Sequence, residues 1–382
     1  MLINSAIIIF SFISLLRAAV GGPLVILTNK LGVNNMLRDN ELYLPSGYLN
    51  VDKILQEPYP FIFIIGARGV GKTYGILKYI YDNGIQSMIM RRTQVQADII
   101  SSNAFHPYKK LCTDFNWHMR TIPVVKNVTG ICTCNVEDVI IEAPFAYIAA
   151  LSTFSNLRGF DASDVDLIFL DEFIPESGSK PVPAEFEKYL NCYETVNRNR
   201  ELEGVDPVKF VCAANSNTID NPYFIGLGIV NKIHAMQRKG KNIYTDDKRG
   251  LLVINLSESP VSNQKRDTAL YRLSAGTGFE EMALSNQYGD LDVSRISNKE
   301  RIIDYRPIFS VGEITIYKHK SQIKYYVTTL RSGSPETYTT TGDDLKRCRN
   351  KYAFAIVDAF YDDHIIFENA ACQVLFTNYL LK

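Results

Sequence analysis

The 382-residue sequence lacks an excess of either charge, because 41 Lys and Arg residues balance 41 Asp and Glu residues. This balance excludes a protein that coats nucleic acid over its whole surface, so any polyanion would have to meet a local basic patch. Charged residues make up only 21% of the chain and hydrophobic residues 46%, which excludes a disordered protein. The length predicts two or three domains, each with its own core.

Cysteine and histidine are also scarce. The seven cysteines are scattered and odd in number, and the five histidines do not occur at the spacing of metal ligands. The pattern argues against a disulfide framework and against a structural zinc site. It is typical of a reduced, cytosolic, globular protein.

One long apolar run stands at the start of the chain. Residues 2–16 are almost wholly apolar until Arg17, but the run is shorter than the ~20 residues of a transmembrane helix. A signal peptide requires a basic residue before its apolar core, and no basic residue precedes this run. Residues 1–35 therefore have three interpretations: a weak membrane anchor, a buried extra element, or a stretch that is not native. We favour the third, with Met36 as the true start, and expect no membrane partner.

A complete phosphate-binding motif follows an apolar strand. Residues 61–65 read as a strand buried on both faces, and residues 66–73 (GARGVGKT) match GxxxxGK[ST] before a helical stretch. Backbone N–H groups of such a loop surround phosphates, Lys72 reaches the β- and γ-phosphates, and the Thr73 hydroxyl holds Mg²⁺. The motif therefore predicts ATP and Mg²⁺ as ligands. The residues of the predicted loop are Gly66, Ala67, Arg68, Gly69, Val70, Gly71, Lys72 and Thr73.

An acidic pair ends a second apolar strand further along the chain. Residues 165–170 deliver Asp171 and Glu172 to the carboxyl edge of the predicted sheet, where an open parallel sheet binds its ligand. Asp171 would organise Mg²⁺, and Glu172 would orient or deprotonate the attacking water. This arrangement favours nucleotide hydrolysis over nucleotide storage.

Polar residues at the ends of two other predicted strands have two interpretations each. Arg91 and Arg92 lie either in a solvated loop or on a basic rim near phosphate or DNA. Asn215 follows the strand at 209–214, either in an ordinary turn or in contact with the γ-phosphate or the attacking water.

Three further arginines are candidate cations. Arg198 and Arg200 follow a helix-like stretch, and they are either surface arginines or include an arginine finger that acts across a subunit boundary. Arg158, just before the acidic strand, is the third candidate.

With these motifs in place, residues 60–382 resemble the DNA-packaging (encapsidation) ATPases of small phi-29-like tailed phages. Two of the shared segments are generic ATPase motifs, but RNRE, the Asn-Pro-Tyr-Phe element and EMALSNQ have no generic explanation. The matching segments are IGARGVGKTY (65–74), IFLDEF (168–173), TVNRNRE (195–201), CAANSNTIDNPYF (212–224), FEEMALSNQYGD (279–290) and TTGDDL (340–345).

The resemblance implies a motor that acts on double-stranded DNA. Such a motor is a homo-oligomeric ring, a pentamer in this family, which drives viral DNA through a portal protein into a preformed capsid in the cytoplasm of the infected bacterial host. The implied α/β fold is a P-loop NTPase domain of the additional-strand catalytic-glutamate class, then a linker domain, then an RNase H-like domain. Whether a packaging RNA also binds is left open.

The resemblance also assigns roles to residues that match. Glu172 would be the catalytic glutamate and Asp171 the magnesium residue. Arg198 would be the finger donated to the neighbouring subunit, and Arg158 is a second candidate for action in trans. Asn215 matches the position that couples hydrolysis to movement.

The last domain resembles an RNase H-like nuclease without the residues needed for activity. From Pro307, strand hairpins precede a helix-like tail that begins near residues 341–344. The first strand carries Glu313 but no Asp, whereas an active nuclease of this fold needs clustered carboxylates for two metals. We therefore expect a nuclease-inactive domain. The implied divisions are an apolar head (1–35), the ATPase domain (36–257), the linker domain (258–303) and the RNase H-like domain (304–382).

Two basic regions each have two interpretations. Residues 234–250 are rich in Lys and Arg and form either a mobile loop at a DNA channel or a solvated hairpin loop. Basic residues of the last domain either face a polyanion or are ordinary surface charge: Lys318, Lys320, Lys324, Lys346, Arg347, Arg349 and Lys351.

Two other classes of protein stay open at this point. One is a membrane-associated phage assembly or extrusion ATPase, which the apolar head permits. The other is a non-hydrolysing nucleotide-binding component of the capsid vertex, against which Glu172 argues.

Overall fold

Two β-sheets organise the part of the chain that the structure, a computed structural model, describes. Strands of the first sheet lie between Phe61 and Leu256, and those of the second lie between Tyr305 and Phe367. The described residues are 37–157, 159–175, 182–215, 219, 221–256, 260–261, 268–274, 276, 293–333 and 335–381.

The first sheet has nine strands in the order β3-β4-β5-β2-β6-β7-β1-β9-β8. The six strands from β5 to β9 in this order are parallel, and antiparallel pairs close both ends of the sheet. The strands are β1 (Phe61–Gly66), β2 (Ser87–Arg91), β3 (Met119–Val125), β4 (Val128–Thr133), β5 (Ala146–Ala150), β6 (Leu167–Asp171), β7 (Lys209–Ala214), β8 (Ile243–Asp246) and β9 (Leu251–Leu256).

The two strands predicted to carry the nucleotide chemistry do not touch each other. Strand β7 pairs with β1 on one side and with β6 on the other, so it lies between them. This is the additional strand that the resemblance implies. Because all three strands are parallel, their carboxyl ends meet at one edge of the sheet.

Helices cover both faces of this sheet. Along β1, Phe63 and Ile65 face one apolar cluster and Ile62 and Ile64 face the other, which is the alternation of a strand buried on both faces. The helices of the whole described chain, including those beside the second sheet, are α1 (Val51–Leu55), α2 (Lys72–Asp82), α3 (Gln94–Ile100), α4 (Lys109–Phe115), α5 (Glu185–Asn197), α6 (Pro222–Gly226), α7 (Val230–Arg238), α8 (Ala269–Leu273), α9 (Gly342–Tyr361) and α10 (Ala370–Phe376).

The second sheet has five strands in the order β13-β10-β11-β12-β14. The predicted strand hairpins are present, and the predicted helical tail is interrupted by β14, which pairs with β12. The two sheets are joined where the Ala371 N–H donates to Asn231 Oδ1 over 2.9 Å. The strands are β10 (Tyr305–Val311), β11 (Ile314–His319), β12 (Tyr325–Thr328), β13 (Glu336–Tyr338) and β14 (Ile365–Phe367).

The basic segment at residues 234–250 is not the loop that its composition suggested. It comprises the end of α7, the edge strand β8 and a short 3-10 turn, Asp247–Arg249. The interpretation as a mobile loop is therefore wrong for most of the segment. The apolar head lies outside the described residues, and no helix within them combines the length and the apolar character needed to cross a bilayer.

Candidate functional site

The phosphate loop lies between β1 and α2 at the carboxyl edge of the first sheet. Gly69 and Gly71 have φ angles of 75° and 90°, which favour glycine. Lys72 is the first residue of α2 and is buried. Its Nζ donates to the carbonyl oxygens of Gly66 and Ala67 over 2.7 and 2.9 Å, so the side chain folds back over its own loop.

Close packing holds this loop from two sides. A Cβ atom on Gly66 would lie 2.9 Å from Leu256 Cδ1 of β9, and one on Gly75 would lie 2.6 Å from Val51 Cγ2 of α1. The Leu49 N–H also donates to the Val70 carbonyl over 3.0 Å. A side chain at either position would therefore displace Leu256 or Val51, and the segment before β1 supports the loop.

Asp171 meets the loop from the end of β6. The Thr73 hydroxyl, on the first turn of α2, donates to Asp171 Oδ1 over 3.0 Å. Burial raises the pKa of the Asp171 carboxyl, and the guanidinium of Arg91 opposes this rise. A hydroxyl and a buried carboxylate are the oxygen ligands that Mg²⁺ takes in nucleotide sites, so these two residues fit the predicted metal.

Glu172 leaves the strand in an unusual backbone conformation. Its φ angle is 57°, in the left-handed region that non-glycine residues seldom adopt. Its N–H donates to Asp171 Oδ1 over 3.1 Å, and its side chain is 49% exposed. The turn presents the carboxylate at the sheet edge, and backbone strain of this kind clusters at functional sites.

Arg91 joins both carboxylates. One guanidinium nitrogen lies 2.8 Å from Asp171 Oδ2 and another lies 2.9 Å from Glu172 Oε2. Because β2 pairs directly with β6, the end of β2 places this arginine beside the acidic pair. The interpretation of Arg91 as a solvated loop residue is wrong. The alternative interpretation, a basic rim near phosphate, did not identify the acidic pair as the partner of Arg91, because the motif alone does not reveal which strand neighbours β6.

Arg92 points into the protein instead. Its guanidinium donates to both oxygens of Glu185, at 2.6 and 2.7 Å, and the Tyr223 hydroxyl donates to Glu185 Oε1 over 3.0 Å. Arg92 and Glu185 are both buried. This bidentate pair ties the end of β2 to the first turn of α5.

The buried pair makes a first testable prediction. Arg92→Ala is expected to lower the free energy of unfolding by about 3–5 kcal/mol, because it leaves the Glu185 carboxylate buried without its partner. Urea denaturation measures the loss. Lys78→Ala, which breaks a more exposed pair with Asp82 on α2, is the matched control and should cost under about 1 kcal/mol. Equal losses in the two variants would contradict the prediction.

The two described candidate arginines beyond α5 differ in their surroundings. Arg198 follows the last residue of α5, its side chain is 51% exposed, and its guanidinium lies 3.5 Å from Asp161 Oδ1. Arg200 is largely covered and donates to Asp166 Oδ1 over 3.2 Å and to the Ser163 carbonyl over 2.8 Å. Arg198 is thus the more accessible of the two.

Arg198 lies far from the phosphate loop of its own subunit. The 13 residues of α5 extend about 20 Å from Glu185 towards the opposite, amino edge of the sheet. There Asn197 Oδ1 accepts from the N–H of Val208, just before β7 begins. The structure therefore brings Lys72, Thr73, Asp171 and Glu172 together and separates them from Arg198.

The remaining predicted residues are located as follows. Asn215 directly follows β7 and is half-buried at the same edge as Asp171, between the loop strand and the acidic strand. Arg68 is exposed on the loop. Arg158 lies outside the described residues, as does the whole of the FEEMALSNQYGD segment that contributed to the resemblance.

Several basic residues of the last predicted domain have partners within the same chain. Lys324 Nζ donates to Glu300 Oε1 over 2.7 Å, and Arg349 Nε donates to the Tyr379 carbonyl over 2.7 Å. Lys351 Nζ donates to Glu336 Oε2 over 2.7 Å. These contacts favour ordinary surface charge at these positions over a continuous surface that binds a polyanion. Among the described residues, no three His, Cys, Asp or Glu side chains are grouped as a metal site.

The chain has sequence relatives over most of its length. The profile of the podovirus DNA encapsidation protein (Gp16) family matches residues 42–381. The DNA packaging protein of Bacillus phage phi29 is 28% identical over 348 residues, which cover 86% of this chain and 93% of the relative. The DNA packaging protein of Bacillus phage B103 is 26% identical over 346 residues, which cover 86% of this chain and 96% of the relative.

Two solved structures share the fold. The bacteriophage Phi-29 viral genome packaging motor assembly contains a chain with a TM-score of 0.59 and 22% identity, with 87% of this chain and 98% of that chain covered. The Phi-28 gp11 DNA packaging motor gives a TM-score of 0.57 and 18% identity, with 90% and 98% covered. The likeness therefore extends over both sheets.

Proposed function

Because the chain belongs to the podovirus DNA encapsidation protein family, we propose that it hydrolyses ATP with Glu172 and that a neighbouring subunit completes the site. The resemblance and the packaging function predicted from the sequence are confirmed by this membership: the chain is an ATPase of viral DNA packaging. The observation that carries the proposal is the contact of Thr73 with Asp171 beside Glu172 and the phosphate loop.

The phosphate loop would bind the triphosphate of ATP. Backbone N–H groups from Gly69 to Thr73 and the positive end of α2 suit an anion. Lys72 would leave its two carbonyl acceptors to reach the β- and γ-phosphates. Thr73 and Asp171 would hold Mg²⁺, which when bound would supply positive charge against the negative charge that develops on the phosphate oxygens during hydrolysis.

Glu172 would act on the attacking water. A carboxylate that is half-exposed at the sheet edge can accept a proton or orient a water molecule, provided that Arg91 does not occupy its oxygen. Asn215 lies at the same edge and would report the loss of the γ-phosphate to the chain that follows.

Arg91 provides a second prediction. Arg91→Met is expected to raise ATP turnover in the absence of DNA about fivefold, because the contact that restrains Glu172 is worth ~1 kcal/mol at a half-exposed carboxylate. Turnover is measured with and without DNA in the same preparation. Lys78→Met is the control, because Lys78 does not contact Asp171 or Glu172 and pairs with Asp82 instead. Unchanged or reduced turnover without DNA would show that Arg91 does not restrain Glu172.

Arg198 would serve the site of the neighbouring subunit. Its position at the sheet edge opposite its own phosphate loop favours action in trans, and its exposure suits contact across a subunit boundary. A guanidinium delivered in this way stabilises the charge of the transition state. Arg158 stays a second candidate for the same task on the resemblance alone.

The wider assembly follows from the family. We propose a ring, five-membered by resemblance, which meets the portal protein and drives double-stranded DNA from the host cytoplasm into the capsid. A packaging RNA is a further candidate partner. The proposed domains are 36–257 for ATP hydrolysis, 258–303 as the linker and 304–382 as an RNase H-like, nuclease-inactive domain.

ATPase activity measured with and without double-stranded DNA tests the proposed function. The full chain and a chain begun at Met36 are compared, with Lys72→Ala as the variant without nucleotide affinity. Hydrolysis that rises with DNA in both chains supports the packaging motor and makes the head dispensable. Absence of hydrolysis would favour the non-hydrolysing vertex component, and activity that requires the head and membranes would favour the extrusion ATPase.

A further inference from the structure

We propose that the buried Arg92–Glu185 pair positions Arg198, so that the state of the ATP site in one subunit sets the arginine that the subunit offers to its neighbour. The proposal rests on the proposed function, in which Arg198 acts in trans. Arg92 and Glu185 are positioning residues in this scheme, because neither touches the phosphate loop.

The connection begins at the carboxylates. Arg91 contacts Asp171 and Glu172, and the next residue along the chain, Arg92, contacts Glu185. A single peptide bond therefore links the two ion pairs. Any shift of the backbone that accompanies release of Glu172 by Arg91 must also displace the guanidinium of Arg92.

The buried pair transmits such a shift because its geometry is fixed. Two parallel hydrogen bonds, at 2.6 and 2.7 Å, define the orientation of Arg92 against Glu185. The Tyr223 hydroxyl from α6 holds the same carboxylate. With every partner buried, no water is at hand to replace one contact while another is kept.

A rigid helix carries the displacement to the opposite edge of the sheet. Glu185 is the first residue of α5 and Arg198 is the residue immediately after its last, so movement at one end reaches the other. Arg198 has φ 48° and ψ −124°, a conformation that costs a non-glycine residue about 1–3 kcal/mol. Its N–H nevertheless donates to the Glu194 carbonyl over 3.0 Å. The backbone, rather than a free loop, therefore sets the direction of the arginine.

Stability alone does not account for a charged pair at this position. Buried ion pairs lose much of their attraction to desolvation, and apolar residues of similar volume often replace them without loss of stability. The same property makes the proposal testable, since the pair can be exchanged for apolar side chains. The exchange removes the oriented contact and retains the packing.

Mixed rings separate this role from catalysis. Acceptor subunits carry Arg198→Ala, and donor subunits carry Glu172→Gln, so hydrolysis requires an acceptor site and a donor arginine. The test donor also carries Arg92→Met, Glu185→Leu and Tyr223→Phe. The matched control donor carries only Tyr223→Phe in addition to Glu172→Gln, so it retains the Arg92–Glu185 ion pair. Both donors carry Glu172→Gln, so the loss of hydrolysis at the donor's own site is common to the two and does not distinguish them.

The expected result is that the control donor restores DNA-stimulated turnover and the test donor restores about 100-fold less, the cost of a misplaced catalytic group. Equal rescue by the two donors would overturn the proposal. Absence of rescue even with the simple Glu172→Gln donor would instead overturn the assignment of Arg198 in trans, and the proposal with it. Thermal melting and co-purification of tagged subunits verify folding and incorporation.

A second donor variant covers failure of the apolar exchange to fold. Glu185→Gln retains one acceptor oxygen for Arg92 and Tyr223 but loses the bidentate charge pair. Added to the Glu172→Gln donor, it is expected to reduce rescue at least severalfold. Full rescue by a folded Glu185→Gln donor would overturn the proposal in the same way.

Discussion

Replacement of Glu172 by glutamine is expected to leave ATP bound and to stop its hydrolysis. Glutamine retains the size and one oxygen of the side chain but cannot accept the proton of the attacking water, so turnover should fall about 10²–10⁴-fold. The phosphate loop, Thr73 and Asp171 are unchanged, and the dissociation constant of a fluorescent ATP analogue should stay within about twofold of the wild-type value. Single-turnover hydrolysis and equilibrium binding measure the two quantities.

Glu187→Gln is the control for loss of a carboxylate without a role in the site. Glu187 is an exposed residue in the first turn of α5, and its substitution should leave turnover unchanged. If Glu172→Gln retains the turnover of this control, Glu172 is not the catalytic base. If it loses ATP binding instead, the carboxylate has a structural role in the loop.

The local parts of this site could be predicted from sequence. The phosphate loop is contiguous, and the apolar runs that precede it and Asp171 specify strands buried on both faces. Parallel strands place their carboxyl ends together, so Thr73 and Asp171 were expected to meet, as they do at 3.0 Å. Each of these inferences needs only a short segment and one rule of sheet geometry.

The arginines of the site could not be predicted in the same way. Arg91 reaches Asp171 only because β2 is the neighbour of β6, and the order of strands depends on tertiary packing of the whole sheet. Arg92 and Glu185 are 93 residues apart in the chain, and no local pattern marks a bidentate pair over that separation. A dipeptide of two arginines is compatible both with a solvated loop and with a basic rim near phosphate, and the local sequence does not reveal that both side chains are largely buried.

The basic segment at 234–250 shows how composition misleads about a sheet edge. Lysine, arginine and glycine are typical of loops, but charged residues also protect an edge strand from pairing with another chain. Within the part of the chain that the structure describes, strand β8 is such an edge and pairs with β9 alone, and Arg249 donates to Asp246 and to the Leu227 carbonyl in the turn that follows. Local charge therefore could not distinguish a mobile loop from an edge hairpin.

Replacement of Arg198 by alanine is expected to leave ATP bound and to reduce turnover about 10³–10⁵-fold, the range found for arginine fingers. The loss should be a property of the ring rather than of the subunit, because Arg198 lies at the sheet edge opposite its own Lys72. Rings mixed from Arg198→Ala and Glu172→Gln subunits, each inactive alone, should therefore recover part of the activity wherever an intact arginine faces an intact site.

Arg200→Ala is the matched control, since Arg200 lies two residues away but is held by Asp166 and the Ser163 carbonyl of its own subunit. Arg200→Ala should lower the melting temperature and retain most of the turnover. Arg198→Ala should retain the melting temperature and lose most of the turnover. DNA-stimulated ATPase of pure and mixed rings measures both effects. Substantial turnover in pure Arg198→Ala rings would remove Arg198 from the mechanism, and loss of turnover that follows Arg200 instead would transfer the role to that residue.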